Sequence, residues 1–398
     1  MTRQLWIMVL CGVLIVLASN GLRLTFGIFL RPISVDLDIS RQVFGLVIAT
    51  QTLLFGLVQP IAGMVADRYG AVKVIVVGSF CYALGLWLMS LAASALDLYI
   101  SLGILIGLGL SGATQVIVLG AVGKVVPNER RGVVFGTVIA AGSLGMFFFV
   151  PGIQGMMDVL GWRETLVGMA ILMAVIPIVT VGLRIDPSAI SESSRQSLRE
   201  AIREARGHSG YVLLAAGFFV CGFHVTFIAT HFPAYLADND VSLTAAAYAL
   251  GVIGLLNIIG AYSFGAAGDR FRKKNVLTLI YALRAVVMTT MLFIPINDVT
   301  ALIFGATLGL LWLATVPLTS GIVAQVFGTR HFSMLFGVVF MSHQIGGFSG
   351  AWLGGVIYDM TGSYDLMWAI SVALGLMAAA LHWPISDQPL KRLTEQTT

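Results

Sequence analysis

Between Leu5 and Trp383 the sequence divides into twelve apolar stretches, and a helix needs about 20 such residues to cross a bilayer. In the first half they run Leu5–Leu30, Gln42–Ala66, Val74–Ala92, Leu98–Val122, Val133–Met157 and Thr165–Leu183. In the second they run Tyr211–Leu236, Leu243–Gly265, Val276–Ile294, Val299–Val326, Met334–Ile357 and Leu366–Trp383. Lipid offers no water to an unpaired backbone N–H or C=O, so stretches of this length are confined to helices. Composition agrees. Only 11% of the residues are charged and 58% are hydrophobic, whereas a water-soluble domain carries about a quarter charged residues. The expected fold class is an all-α membrane protein with twelve transmembrane helices. The apolar start at Leu5 has no cleavage-type end and reads as the first span.

Charge sets the expected orientation. With the N-terminus inside, all but five of the 23 Lys and Arg residues fall on cytoplasmic segments. Arg31, Arg41 and Arg163 lie outside, and Arg23 and Arg284 lie within spans, while the carboxylates divide evenly. This is the positive-inside pattern. It places both termini and the Arg184 to Gly210 segment in the cytoplasm. The basic balance therefore follows topology, and no nucleic-acid partner is expected. Ser197-Leu-Arg-Glu200 has the form of a capping box. Leu198, Ile202 and Ala205 alternate with Arg199, Arg203 and Arg206, as in an amphipathic helix lying on the inner leaflet. The expected organisation is a six-helix half over residues 1–185, a cytoplasmic linker over 186–210, and a second six-helix half with a short tail over 211–398. Cys11, Cys81 and Cys221 all sit in spans and read as small core residues. They form neither a disulfide framework nor a metal-ligand pattern.

An internal repeat underlies the two halves. Gly63-Met-Val-Ala-Asp67-Arg68-Tyr-Gly70 follows the second span, and Gly265-Ala-Ala-Gly-Asp269-Arg270 follows the eighth. Gly120 with Gly321, Phe135-Gly136 with Phe336-Gly337, and Asp158 with Asp359 keep nearly the same offset. Parallel repeats about an axis along the membrane normal are a known transporter arrangement. The Gly-x-x-x-Asp-Arg-x-Gly element resembles the signature loop of the major facilitator superfamily, and the likeness extends over the whole chain. As a latch, Asp67 would face the positive helix N-terminus of span eleven. Asp269 would face the start of span five near Arg130, with Arg68 and Arg270 beside the two acids. Within that superfamily, two stretches are similar to the bacterial branch of monocarboxylate transporter-like proteins. They are Gly21-Leu-Arg23-Leu-Thr-Phe26-Gly27-Ile-Phe29-Leu-Arg-Pro32 and Gly222-Phe-His224 through His231-Phe-Pro233-Ala-Tyr235-Leu-Ala-Asp238. The resemblance implies transport of small organic anions, often with a proton. The acidic first-span signature of animal members is replaced by Asn20-Gly21-Leu22. Their span-eight Asp and Arg appear as Asn257 and Ala261.

No Asp or Glu lies inside any expected span, and Arg23 and Arg284 are the intramembrane cations. A charge at that depth marks function by default, because it costs a few kcal/mol or more unless it faces a cavity. Arg23 stands about 12 Å of helix from Arg31, and Ser19, Asn20 and Gly27 share its face. A guanidinium there is a permanent cation whose planar fork suits a carboxylate. Arg284, on the peripheral ninth span, is expected to reach a carbonyl, a neighbouring helix or the headgroups. His224 and His231 lie two turns apart on span seven and His343 lies mid-way along span eleven; histidine titrates near neutral pH. His224 and His343 are therefore candidate substrate contacts or proton carriers. Asn20, Gln115, Asn257, Thr315 and Thr319 are neutral polar candidates that would contact substrate or bridge helices. Gly103, Gly107 and Ser111 on span four, and Gly346, Gly350 and Gly354 on span eleven, form small-residue ridges for close packing. Pro151, Pro233 and Pro317 would kink their helices.

These residues point to a secondary active transporter that rocks about a midplane site. Its expected substrate is a small organic anion, with a monocarboxylate foremost. An exporter of drugs or lipophilic metabolites is the alternative, disfavoured by the absence of membrane carboxylates. No nucleophile constellation, phosphate loop or metal-ligand pair is present, so no enzymatic activity and no cofactor are expected. The expected setting is a monomer in the lipid of the cell inner membrane.

Overall fold

The computed structural model describes residues 3–123, 125–126, 128–183, 198–328 and 332–390. Among them, eleven helical segments are long and apolar enough to cross a membrane. A further helix, Phe332–Thr361, has the same length but carries the Ser342-His343-Gln344 run and repeated glycines that dilute its hydropathy. Together they make twelve crossings with no strand among the described residues.

Span one is two helices, α1 (Arg3–Arg23) and α2 (Phe26–Asp36), broken at Leu24 and Thr25. Spans two and three are α3 (Arg41–Tyr69) and α4 (Ala71–Ser90). Span four is assembled from α5 (Ala95–Leu98), a π-helical segment (Tyr99–Leu105), α6 (Ile106–Gly112) and α7 (Gln115–Gly123). Spans five and six are α8 (Asn128–Leu160) and α9 (Trp162–Val179), the latter ending in a short 3-10 turn. The amphipathic segment forms α10 (Leu198–Gly207), whose Ala201 and Ala205 are buried while Ile202, Arg203 and Arg206 are exposed. Ser197 of the expected capping box lies outside the described residues. Then follow α11 (Ser209–Asp238), α12 (Leu243–Arg270) and α13 (Lys273–Phe293). Span ten is α14 (Asp298–Leu311) and α15 (Thr315–Phe327), and the chain closes with α16 (Phe332–Thr361) and α17 (Asp365–His382).

Local chemistry explains the starts and breaks. Ser40 accepts from the Val43 N–H ahead of α3, and Ser242 accepts from the Ala245 N–H ahead of α12. Asn297 and Thr300 form a reciprocal capping box on α14. Non-helical backbone in a membrane persists only where other groups satisfy it, and the break in span ten shows how. Arg284 on α13 donates from Nε to the Leu311 carbonyl at 3.1 Å and from Nη2 at 2.7 Å. Its Nη2 also donates to the Trp312 carbonyl. Asn257 Oδ1 accepts the freed Leu313 N–H at 2.7 Å. The expected kinks at Pro151 and Pro233 lie inside unbroken helices, and Pro317 falls in the first turn of α15 beyond the break.

Small residues set the closest helix crossings. A Cβ on Gly346 would strike the Phe219 carbonyl and one on Gly350 the Phe223 carbonyl, where α16 crosses α11. A Cβ on Gly107 would lie 3.0 Å from the Gln51 carbonyl, where α6 meets α3. The expected glycine ridges are therefore packing surfaces. After α17 the tail folds back. Arg272 pairs with Asp387 at 2.6 Å, and the Leu390 N–H donates to the Val326 carbonyl at 3.1 Å. That ion pair raises the Arg272 pKa, because Asp387 stabilises the charged guanidinium.

Two seams join the first six spans to the last six, α3 against α16 and α8 against α12. Both are tight at the end away from the termini. There Arg41 grips Asp238 through both guanidinium nitrogens at 2.6 and 2.7 Å. Arg41 also lies 3.8 Å from the Tyr358 ring centroid, and the Gln42 N–H donates to Asp359 at 2.9 Å. Mid-seam, Asn257 donates to the Ser143 hydroxyl at 2.6 Å, and a Cβ on Gly56 would stand 2.6 Å from Gln344. Toward the termini the seams part. A Cβ added to Gly63, Gly136 or Gly337 would meet nothing within 4 Å. Asp269 is exposed there and forms no ion pair among the described residues. The structure is thus clamped at the far end, where α3 meets α11 and α16.

Candidate functional site

Arg23 is the last residue of α1, at the break in span one. It is half-buried, and its guanidinium carbon sits 5.4 Å from the Phe55 ring centroid. Among the described residues it makes neither an ion pair nor a hydrogen bond. Burial of a cation is costly unless something compensates it. Here the compensation comes from an aromatic face and an opening in the structure.

That opening is a cavity of about 20 Å³ between the span-one break, α3 and α11, large enough for about one water molecule. Arg23, Gly27, Gln51, Thr52, Thr226 and Thr230 contribute to its wall. It is sealed on the far side where Gly27 lies against the Ala229 carbonyl, an approach that leaves no room for a Cβ. The Gln51 amide nitrogen and the Thr52 and Thr226 hydroxyls are buried without a hydrogen-bond partner. Gln51, Thr52 and Thr226 are not among the expected site residues, because no motif or repeat offset separates them in sequence from the other neutral polar residues of the spans.

The structure brings His343 close to this wall. Its Nδ1 lies 2.9 Å from Gln344 Oε1, and Gln344 Nε2 donates to the Thr52 carbonyl at 3.4 Å. Its ring stacks on Phe340 with centroids 5.4 Å apart, and Phe340 meets Phe55 edge-on at 5.7 Å. Arg23 and His343 are thus joined by a continuous aromatic wall.

His224 does not join them. Its Nε2 lies 2.9 Å from the Ser371 carbonyl, so the ring points to α17, while its neighbours Val225 and Thr226 line the cavity. One residue is about 100° around a helix, so a position beside the Arg23 equivalent faces another way. His231 is held by the Tyr364 hydroxyl at 3.0 Å and the Ala351 carbonyl at 2.7 Å, below the outer clamp. Asn257 has both ends of its amide engaged by Ser143 and Leu313. It ties the seam and fills the span-ten break.

Asn20 and Gln115 form a pair instead, Nδ2 to Oε1 at 2.9 Å, between span one and the start of α7. The repeat reproduces this contact. Cys221 Sγ lies 3.2 Å from Thr315 Oγ1, between span seven and the start of α15. Each pair braces a broken span against its half. Thr319 is buried with its hydroxyl unpaired. Arg284 is a structural cation, as expected of its peripheral span. The side chains of Asp67, Arg68 and Arg130 lie outside the described residues, and Asp269 and Arg270 are exposed. Among the described residues no cluster of His, Cys, Asp and Glu has a metal-binding arrangement.

The model of the Major Facilitator Superfamily matches residues 8–315 and 214–397. The chain belongs to this superfamily. It is similar to the uncharacterized MFS-type transporter YcxA of Bacillus subtilis, with 24% identity over 405 residues, covering 99% of this chain and 98% of the relative. It is also similar to monocarboxylate transporter 12 of Rattus norvegicus, with 27% identity over 340 residues, covering 77% and 69%. A crystal structure of a D-xylose–proton symporter shares the fold at a TM-score of 0.75 and 13% identity, covering 97% of this chain and 99% of that one. Membership in this family makes the chain a multi-pass membrane transporter of a small molecule.

Proposed function

We propose that this transporter moves a small organic anion, foremost a monocarboxylate, by secondary active transport and alternating access. The observation that carries the reading is Arg23. It lines a cavity at a helix break, without an ionic partner among the described residues, in a chain whose spans hold no carboxylate to neutralise it. The name of the rat relative supports the substrate class. The charge bias supports both termini on the cytoplasmic side of the inner membrane. Proton coupling is assigned to His343, which reaches the cavity wall through Gln344 and Thr52. Asp67 and Asp269 are assigned to latches that form when the parted end closes. The protein is proposed to act as a monomer in lipid, without a cofactor or enzymatic activity.

Uptake of a radiolabelled monocarboxylate panel into proteoliposomes tests the reading. Arg23→Gln should abolish uptake and leave expression intact. Arg23→Lys should retain part of it, since the charge stays but the planar fork is lost. Parent-like uptake by Arg23→Gln would overturn the anion site.

A further inference from the structure

The cavity at the span-one break has an asymmetry in its hydrogen-bonding chemistry. Three of its wall residues carry a buried, unpartnered atom that can donate: Gln51 Nε2, Thr52 Oγ1 and Thr226 Oγ1. Arg23 adds a guanidinium that has donors and no acceptor. The N-terminus of α2 begins at the same wall, with Phe26 and Gly27 lining it, and a half-helix N-terminus favours negative charge. Buried orphan donors are rare in native structures and each requires an explanation. A water would meet these hydrogen-bonding needs but not the charge of Arg23. A carboxylate has about four acceptor positions and carries the charge that Arg23 lacks.

The donors also come from both sides of the seam. Arg23, Gln51 and Thr52 belong to spans one and two, and Thr226 belongs to span seven. Gly347 on α16 leaves room for the Thr226 hydroxyl and the Thr52 methyl to pack beside it. A Cβ there would stand 2.6 Å from Thr226 Oγ1 and 2.8 Å from Thr52 Cγ2. A group bound between them would touch both moving parts of the fold.

We propose that Gln51, Thr52 and Thr226 form, with Arg23, a cradle for one carboxylate group and are specificity-determining residues of this transporter. The inference rests on the reading of Arg23 as the anion site. The cavity is water-sized in this structure, so its walls from the two halves would have to part for the carboxylate to enter. A halide is the rival occupant by charge, and the fork geometry of Arg23 favours the planar group.

The test uses the purified full-length chain and sodium acetate as the probe, with apparent affinity read from ligand-dependent thermal stabilisation. Sodium chloride at equal ionic strength is the comparison. Acetate should stabilise the parent and chloride should not. Thr52→Val and Thr226→Val keep the side-chain shape and remove the donor. Each should weaken acetate by about tenfold, the value of one hydrogen bond to a charged group, without lowering stability in the absence of ligand. Thr226→Ser should restore parent-like affinity. If Arg23→Gln loses acetate while both valine variants bind as the parent does, the anion site stands and the cradle falls. If Arg23→Gln still binds acetate, both fall. Equal stabilisation by chloride, or none by acetate, would overturn the assignment to a carboxylate.

Discussion

Removing the Arg41 clamp should release the closed end of the seam by an amount the structure allows to be sized. Arg41 makes two charged hydrogen bonds to Asp238, a further one to the Tyr364 hydroxyl at 3.3 Å, and a face contact with Tyr358. Its side chain is 14% exposed and that of Asp238 is 24% exposed. A fully exposed pair contributes 0–1 kcal/mol, and a hydrogen bond to a charged group contributes about 1.5–3 kcal/mol when buried. The clamp lies between these limits, at about 2 kcal/mol, which is about 30-fold in the equilibrium between far-end-closed and far-end-open forms. Thr230 provides the reporter. It is buried on the cavity wall two turns below Asp238 and becomes reachable from that side only when the clamp opens. In a chain with Cys11, Cys81 and Cys221 replaced by Ala, Thr230→Cys would be labelled by a membrane-impermeant maleimide. When opening is fast relative to labelling, the rate follows the open population. Arg41→Ala should raise it about 30-fold, and Asp238→Asn should raise it by a similar factor. The double variant should add little, as expected for two members of one contact. A labelling rate within twofold of the parent in both single variants would refute the clamp as the force that holds this end shut.

Arg284→Met should lower the apparent melting temperature by several degrees, because the Leu311 and Trp312 carbonyls lose their donor and a buried orphan costs about 1–3 kcal/mol. Its acetate affinity should match the parent, whereas a selective loss of binding would make Arg284 part of the site. Asp269→Asn should leave the stability of the present form unchanged, since Asp269 is exposed and unpaired among the described residues here. Both it and Asp67→Asn should slow proteoliposome uptake; normal rates in both would reduce these loops to topology signals. An engineered Ser194→Cys should be labelled only from the cytoplasmic side, and labelling in intact cells would invert the topology. His343→Gln should flatten the pH dependence of uptake, and an unaltered profile would remove this histidine from proton coupling.

What the sequence by itself determined follows from local and compositional physics. Span length, the confinement of lipid-exposed backbone to helices, and the distribution of Lys and Arg are properties of short segments, so they are legible without contacts. The Asp67 and Asp269 loops could be paired by offset alone, which indicated the repeat. The lack of any span carboxylate singled out Arg23 before its surroundings were known. The breaks in spans one and ten, by contrast, depend on partners far along the chain. Sequence gives Arg284 a carbonyl, a neighbouring helix or the headgroups as partners and Asn257 a substrate or a second helix, but the freed carbonyls of Leu311 and Trp312 and the freed N–H of Leu313 are identified only by the packing. The direction of His224 turned on about 100° of helix rotation, which an offset near 200 residues does not resolve. Gln51, Thr52 and Thr226 are ordinary mid-span residues in sequence. Only helix packing, with Gly27 against the Ala229 carbonyl, brings these residues to one cavity with Arg23, because a binding site is a convergence of side chains from separate helices and the chain's order does not encode that distance.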